Sequence, residues 1–523
     1  MKYKVLITTS GVGSRLGELT RFTNKSLVKV GKKPAISYIV ELYPPEIRIV
    51  VTLGYYGNQV RDFLKLAYPS RKFIFVKIDK YKGEGSSLLY SMSRASKYLQ
   101  CPFIYHACDT IVTENVPPPI YNWNGGYKGN GSSQYASFDI LNGNIQKIYD
   151  KGMLESDYLH IGLVGIKDYK RFWEIAERIL KKEGNNGALN DVVVIRKMLK
   201  DGLKFKLKDF SGWYDTGNVE SLNLARKNIK DSYLTLDKTG QSIYLFEDFV
   251  IKFFSDPKIV SDRVKRAKGL GNLVPQIVGT IGNFYKYKFI KGQLLSDVPN
   301  PEEFRDFLVW SKTKLWKPSK SVSDKKFKDV CKRFYYQKTV DRVKQLLSSR
   351  SIKDRSEVIN GYRVPSTRKM LDMVDWDFLC STKQSCFHGD YILDNIIRIR
   401  TGYCLLDWRQ DFGGLLKSGD MYYDLAKLNH NLIVNHELVN KNLFTIKIGE
   451  DGVKCDILRK GHLVESESVF WKFVKENKFD ERKIKLITAL IWLNMSPLHT
   501  HPFDLFLYYF GKYNLWRILN EKD

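Results

Sequence analysis

Cysteine, acidic side chains and long apolar runs are all scarce in this chain of 523 residues. The seven cysteines, Cys101, Cys108, Cys331, Cys380, Cys386, Cys404 and Cys455, are odd in number and scattered, with no C-x-x-C pair. That excludes a disulfide framework or a zinc knuckle and fits a reducing compartment. No window approaches the roughly 20 apolar residues that span a bilayer. The apolar run after Met1 is too short for a secretion signal, so a cytoplasmic location is expected. Internal repeats and low-complexity tracts are missing too, which excludes solenoids and collagen-like chains.

What is present is material for sizeable cores: 43% apolar and 13% aromatic residues, enough for two or three domains. Lysine and arginine number 85 against 57 aspartates and glutamates, a formal charge of +28. Such an excess attracts phosphate esters, nucleic acid or an acidic membrane surface without choosing among them. Abundant Lys, Asn, Tyr, Ile and Phe together also suit an AT-rich genome, a cause that needs no function.

The first half alternates short β-rich runs (Tyr3–Thr9, Ile47–Leu53, Lys72–Ile78, Pro102–His106) with helical spacing (Ala35–Tyr43, Asn58–Ala67, Ser86–Leu99). This predicts an α/β domain, a mostly parallel sheet with helices on both faces, whose ligands sit beyond the strand ends. A polar helical stretch at Glu220–Ser232 closes it, and the boundary is placed near 230–238. Ser242–Phe246, Phe249–Phe254 and Phe284–Ile290 read as strands of a small lobe, about 238–292. The remainder, about 293–523, reads as helical apart from β-like Cys404–Leu406. The domains expected are therefore 1–232 and 233–523.

The first strand runs into Ser10-Gly11-Val12-Gly13-Ser14-Arg15-Leu16, and Lys25-Ser26-Leu27 follows. Glycines after a strand let backbone N–H groups approach phosphates, a following helix N-terminus adds positive potential, and Arg15 and Lys25 would neutralise charge building on a leaving pyrophosphate. Gly11, Gly13, Ser14, Arg15 and Lys25 together resemble the G-x-G-[ST]-R-[LM]…P-K signature of sugar-phosphate and phosphocholine-type nucleotidyltransferases. Three later elements resemble the same family in order. Lys82-Gly83-Glu84-Gly85-Ser86-Ser87 matches the segment that holds the base, so Gly83, Gly85 and Ser86 are nucleotide-binding candidates. Tyr105-His106-Ala107-Cys108-Asp109 matches a strand ending in a metal-binding aspartate, and Trp213-Tyr214-Asp215-Thr216-Gly217 matches the segment whose aspartate completes a magnesium site. The resemblance spans Lys2 to Arg226 and implies a Rossmann-like nucleotidyltransferase domain using Mg2+ and an NTP. Two aspartates beside phosphates also suit magnesium on chemical grounds alone. One departure is Asn24, where the family has proline; the exchange is expected to loosen that loop. Asn190-Asp191 and His160-Ile161-Gly162 fall where the family contacts sugar, but a helix cap and a core histidine explain them equally well.

In the second half, Phe387-His388-Gly389-Asp390-Tyr391-Ile392-Leu393-Asp394-Asn395 precedes Cys404-Leu405-Leu406-Asp407-Trp408. Asp390 is placed to orient or deprotonate an acceptor hydroxyl, Asn395 to hold a metal, and Asp407 to bridge magnesium to phosphates. The pattern, with Gly419-Asp420-Met421-Tyr422-Tyr423-Asp424-Leu425-Ala426 beyond it, resembles the aminoglycoside-phosphotransferase and choline-kinase superfamily. The resemblance covers Gly240 to Trp516 and implies a bilobal, protein-kinase-like α+β domain that uses ATP. Within it Lys252, in the run Phe249–Phe254, would grip phosphates, and Lys286–Gly292 would form the adenine hinge. The stretch Asp262–Ala267, where a glutamate partner for Lys252 is expected, has none.

The basic stretch Lys312–Lys344, with Tyr335 and Tyr336, suits a solvated helix face better than a nucleic-acid groove. His499 and His501 read as a loop, and Trp492, Tyr508, Tyr509, Tyr513 and Trp516 as helical packing rather than a cage for a quaternary ammonium. The two resemblances together imply a bifunctional transferase. ATP would phosphorylate a small hydroxyl compound, in the first place a sugar at its anomeric position. CTP, UTP, GTP or TTP would then activate that phosphate for surface-glycan or capsular polysaccharide synthesis. A choline or ethanolamine kinase joined to a cytidylyltransferase is the alternative, and a non-catalytic nucleotide- or nucleic-acid-binding protein another. Expected partners are nucleotides and the small substrate with its phosphate; no specific nucleic acid is expected, and self-association is open.

Overall fold

The computed structural model describes residues 2–129, 133–153, 156, 158–184, 186–229, 240–297 and 300–521. The chain forms two compact units, Met1–Val260 with Val278–Phe289, and Ser261–Ile277 with Ile290–Asp523. The expected boundary at 232/233 lies outside the described residues.

The first unit opens with β1 (Lys4–Thr8), α1 (Ala35–Glu41), β2 (Arg48–Leu53), α2 (Gly57–Ala67), β3 (Phe73–Lys77), α3 (Leu88–Ala95) and β4 (Phe103–Ala107). The β-runs and helical spacings read from the sequence occupy these positions. Then follow β5 (Thr110–Val112), β6 (Trp123–Lys128), β7 (Ser137–Leu141), β8 (Asn144–Tyr149), β9 (Tyr158–Ile166), α4 (Tyr169–Glu183), α5 (Asp191–Lys200), β10 (Lys206–Asp209), β11 (Trp213–Asp215) and α6 (Val219–Asn228). Nine strands form one sheet in the order β3-β2-β1-β4-β9-β6-β10-β8-β7. Only β3-β2-β1-β4 and the β6–β10 pair run parallel; β4–β9, β9–β6, β10–β8 and β8–β7 are antiparallel. The sheet is therefore mixed, a correction to the mostly parallel sheet expected. The β7–β8 hairpin turns on Asn142-Gly143, both at positive φ, a pairing that favours a tight two-residue reversal.

Alternate side chains of the parallel strands enter opposite cores, as a two-residue period requires. Val5, Ile7, Ile49 and Val51 pack with Ile39 of α1 and Phe63 of α2. Leu6, Val50, Phe103 and Tyr105 pack with Met92 of α3, Phe172 of α4 and Ile195 of α5. The first core continues into a second sheet of the same unit, built from β12 (Gln241–Leu245), β13 (Phe249–Phe254), β14 (Ile277–Ile281) and β15 (Phe284–Lys288) in the order β12-β13-β15-β14. Tyr244 and Phe284 lie edge-on and tilted against Phe63 at 5.3 and 5.9 Å, and the Tyr244 hydroxyl donates to the Leu27 carbonyl at 2.7 Å. The strands expected in a kinase-like small lobe thus share a core with the nine-stranded sheet.

The second unit is mainly helical. Met421–Ile433, Glu481–Met495 and Phe503–Asn520 pack in series. It also holds a four-stranded sheet that the sequence reading lacked: Glu357–Ile359 and Tyr362–Val364 pair antiparallel, and Phe444–Gly449 pairs antiparallel with Gly452–Ile457. Among the described residues no helix is long and apolar enough to cross a membrane.

Phe63 is fully buried where the two sheets of the first unit meet. Replacing it by Ala should destabilise the protein by about 3–5 kcal/mol, read as a lower urea midpoint with an unchanged slope.

Candidate functional site

The turn between β4 and β5 carries Asp109, and β11 runs antiparallel to β5 with Asp215 opposite Thr110. That register sets two carboxylates side by side although more than a hundred residues separate them. Thr216 closes the junction: its N–H and hydroxyl both donate to the Asp109 carbonyl, at 2.8 and 3.1 Å. His106 braces the same turn, donating through Nε2 to the Thr110 carbonyl at 2.9 Å and accepting at Nδ1 from the Tyr43 hydroxyl at 2.7 Å. Burial keeps this ring neutral, its pKa lowered to about 4.

Gly217 marks where the groups converge. A Cβ there would lie 3.1 Å from Asp215 Oδ1 and 3.2 Å from both Asp109 Oδ2 and Arg15 Nη2. Lys25 Nζ stands 2.7 Å from Asp109 Oδ2. Burial opposes both charges. The pairing nonetheless holds the Asp109 carboxyl below its ordinary range and the Lys25 ammonium above its own, with Arg15 adding to the pull on Asp109. Asp215 is fixed from its other side by Tyr135 and Ser221, whose hydroxyls both donate to Oδ2 at 2.9 Å, while Gly217 N–H donates to Oδ1 at 3.0 Å. The sequence reading missed Tyr135 and Ser221. Two carboxylate oxygens aimed at one glycine-lined point fit the hard-oxygen preference of Mg2+.

The glycine loop reaches this point through Lys25. Gly13 sits at φ +74°, and a Cβ on it would come within 2.8 Å of Lys25 Cβ, so only glycine allows the approach. The Ser14–Thr20 segment after it is a tight, kinked turn broken at Gly17, not the regular helix N-terminus expected. Arg15 and Ser14 are solvent-exposed and Gly11 is half-buried. Gly83 and Gly85, both at positive φ, shape the second loop, where Ser86 N–H and hydroxyl return to the Gly83 carbonyl at 3.2 and 2.7 Å. Ser87 then caps α3. The loops are coupled beneath: Ser10 Oγ donates to Ser91 Oγ of α3 at 3.0 Å.

Asn24 does the reverse of loosening its loop. Fully buried, it donates to the carbonyls of Thr9 and Tyr55 at 2.8 and 2.6 Å and accepts from Ser26 N–H and hydroxyl at 2.9 and 2.8 Å. Asn190 caps α5 through Val193 N–H. Asp191 faces His160 Nε2 at 3.1 Å, and His160 Nδ1 meets Asn124 Oδ1 at 2.9 Å.

In the second unit, Asp424 anchors the loop that carries Asp390. Its two oxygens accept from the backbone N–H groups of His388 and Gly389, each at 2.7 Å, and from Trp316 Nε1 at 3.1 Å. Burial raises its pKa to about 6 against these bonds. Asp390 pairs with Lys427 at 2.8 Å, and Asn395 donates its amide to the Asp390 carbonyl at 2.9 Å. Lys427 is one residue beyond the motif that resemblance supplied, which is why it was missed.

Asp407, at φ +56°, is paired with Arg263 of α7 (Pro257–Leu270). Arg266, one turn on, donates to the carbonyls of Phe387, His388 and Arg409. The helix expected to carry a glutamate therefore presents an arginine to the Phe387–Asp390 loop. A guanidinium engages Asp407 as the Lys25 ammonium engages Asp109, so a divalent ion at either carboxylate would share it with a cation. Lys252, only 3% exposed, belongs to β13 of the first unit. The Lys312–Arg333 lysines and Arg333 point outward while Phe327, Val330, Phe334 and Tyr335 are buried, so this is a solvated helix face.

No family model matches the chain. A choline-phosphate cytidylyltransferase of Streptococcus pneumoniae (strain ATCC BAA-255 / R6) is 33% identical over 98 residues, 18% of this chain and 42% of that protein. The chain thus spans less than half the length of the curated relative it matches. Among solved structures, a CTP:phosphocholine cytidylyltransferase from Streptococcus pneumoniae is 18% identical, with a TM-score of 0.38 over 44% of this chain and 100% of that one. An inositol-1-phosphate CTP transferase from T. maritima is 16% identical, with a TM-score of 0.36 over 45% and 98%.

Asn24→Pro, which installs the residue the motif leads one to expect, should not be neutral. It strands two carbonyls and should cost about 2 kcal/mol or more in chemical denaturation. Wild-type stability in that variant would overturn the role given to Asn24.

Proposed function

We propose that the chain is a bifunctional transferase in which residues 1–232 carry nucleotidyl transfer to a phosphate ester and residues 233–523 carry an ATP-dependent kinase-like activity. The observation that carries the first part is the meeting of Arg15, Lys25, Asp109 and Asp215 beside the glycine loop. In this reading Gly11, Gly13 and Ser14 cradle the NTP phosphates, and Gly83, Gly85 and Ser86 hold the base. Mg2+, when bound between Asp109 and Asp215, supplies charge neutralisation at the reacting phosphates. The acceptor's phosphate oxygen attacks the α-phosphorus in line. The bond from α-phosphorus to the bridging oxygen breaks, and pyrophosphate leaves as an anion met by Arg15 and Lys25. The attacking oxygen is already ionised, so no general base is needed.

In the kinase-like part Asp390, held by Lys427, takes the proton of an acceptor hydroxyl as the γ-phosphoryl group moves from ATP. Within the second unit Asn395 and Asp407 complete the assignment, Asp407 being neutralised by Arg263. The product of this step belongs to the acceptor class of the first. A sugar 1-phosphate follows from the Trp213–Gly217 form; phosphocholine with CTP is supported by the likeness to the pneumococcal enzyme over 98 residues.

Asp109→Asn should abolish pyrophosphate release from supplied phosphate ester and NTP by at least 100-fold while sparing ADP formation, and Asp390→Asn should do the opposite. Loss of both activities in either variant sinks the two-site assignment. Mass spectrometry of one-pot reactions with ATP, mixed NTPs and single acceptors reads acceptor and base together.

A further inference from the structure

Around Asp390 the second unit gathers cations of which the phosphoryl-transfer assignment uses only Lys427. Lys338 and Arg342 lie one turn apart on the helix Lys338–Arg350. The Lys338 ammonium stands 4.5 Å above the ring of Phe334, and the Arg409 guanidinium 5.2 Å from the same ring. Phe334 is itself stacked on Phe412 at 4.3 Å, a rigid apolar floor. Arg409 is drawn toward the catalytic loop: its N–H donates to the His388 carbonyl at 3.0 Å, and its Cβ and Cδ pass 2.6 and 3.1 Å from where a Gly389 Cβ would be. Gly389 has φ +90°, so this close passage requires glycine. Lys427, 7% exposed, supplies the fourth cation, on Asp390 itself.

Only two carboxylates among the described residues, Asp390 and Asp411, are seen to act on these four cations. Asp390 pairs with Lys427, the Asp411 carboxylate accepts from Gly414 N–H at 2.9 Å, and Arg409 Nε donates to the Asp411 main-chain carbonyl at 3.1 Å. Among the described residues Arg342 donates to the neutral Gln345 alone, at 3.2 Å. Burial lowers the affinity of Lys338 for its proton, the neighbouring Arg409, Arg342 and Lys427 lower it further, and the Asp411 carboxylate opposes them in part. Lys338 and Arg409 over one aromatic floor, with Arg342 and Lys427 near them, repel one another at a cost that a bound anion would offset.

We propose that Lys338, Arg342, Arg409 and Lys427 form an anion-binding subsite beside Asp390, and that the kinase-like unit takes an acceptor alcohol already bearing a phosphate or carboxylate. This rests on the kinase-like reading for its placement of Asp390, and it names the acceptor class that reading leaves open. A cation such as choline is disfavoured there, because the subsite repels it.

The test is a calorimetric titration of the full-length protein with inorganic phosphate and, separately, with choline, in the absence of nucleotide. The expected result is phosphate binding that weakens at least tenfold in Lys338→Met/Arg342→Gln, is retained in Lys338→Arg/Arg342→Lys, and has no choline counterpart. Equal melting temperatures of the two double variants show that folding is not the cause. Phosphate binding unchanged by the double substitution, or choline binding of similar strength, overturns the subsite. If a non-hydrolysable ATP analogue abolishes the substitution-sensitive phosphate binding, the cations hold the donor's phosphates and the acceptor assignment falls. The titration needs no turnover, so an inactive kinase with intact phosphate binding would discard the kinase-like reading and keep the subsite.

Discussion

Everything chemical in the first unit depends on a three-residue strand pairing. The antiparallel match of Trp213–Asp215 to Thr110–Val112 brings two distant carboxylates to one point, and Thr216 locks it by donating twice to a single carbonyl. Short two-stranded ribbons are weak by themselves. This one is held because His106 is buried, neutral and bonded at both ring nitrogens, and because Lys25 and Arg15 offset the charge that the pairing concentrates. Carboxylate proximity, cation supply and loop shape are thus one linked arrangement.

The second unit solves a similar problem by burying charge rather than pairing strands. Asp424 lies under the loop and satisfies two successive backbone N–H groups, so His388 and Gly389 are fixed before Asp390 begins. From the other side Arg266 gathers the Phe387 and His388 carbonyls of the same loop and ties them to the Arg409 carbonyl. The loop is therefore clamped between a buried acid and a buried base, and Asp390 inherits its position from both. Replacing a buried charged partner in such a clamp leaves the other uncompensated, which is costlier than losing a surface pair.

Much of this was legible in the amino-acid sequence where chemistry has local punctuation. Glycines after strands located the Gly11–Gly13 and Gly83–Gly85 loops, and four ordered motifs named Asp109 and Asp215 before their distance was known. Partners lying far along the chain carried no such mark: Tyr135 and Ser221 reach Asp215 only through the fold, and Arg263 reaches Asp407 across more than a hundred residues. In the second unit's sheet the three-residue strands Glu357–Ile359 and Tyr362–Val364 are too short to show alternation, whereas Phe444–Gly449 and Gly452–Ile457 do alternate and were legible. For the short pair the Asn360-Gly361 turn, both residues at positive φ, was the available signal. The antiparallel half of the large sheet was hidden likewise, though Asn142-Gly143 announced one hairpin. At Asn24 the motif misled: a proline orders a loop by restricting φ, whereas this asparagine orders it by hydrogen bonds.

The core shared by the two sheets of the first unit bears on how the gene can be divided. A cut near residue 232 would follow the motifs yet remove Tyr244, Phe246, Ile251, Phe253 and Phe284 from a core that also contains Phe63 and Leu66. The shortened polypeptide would expose a contiguous apolar patch of the kind that drives aggregation. Solubility, rather than catalysis, would then fail first. Two sheets that share a core are harder for recombination to separate than two joined by a bare tether.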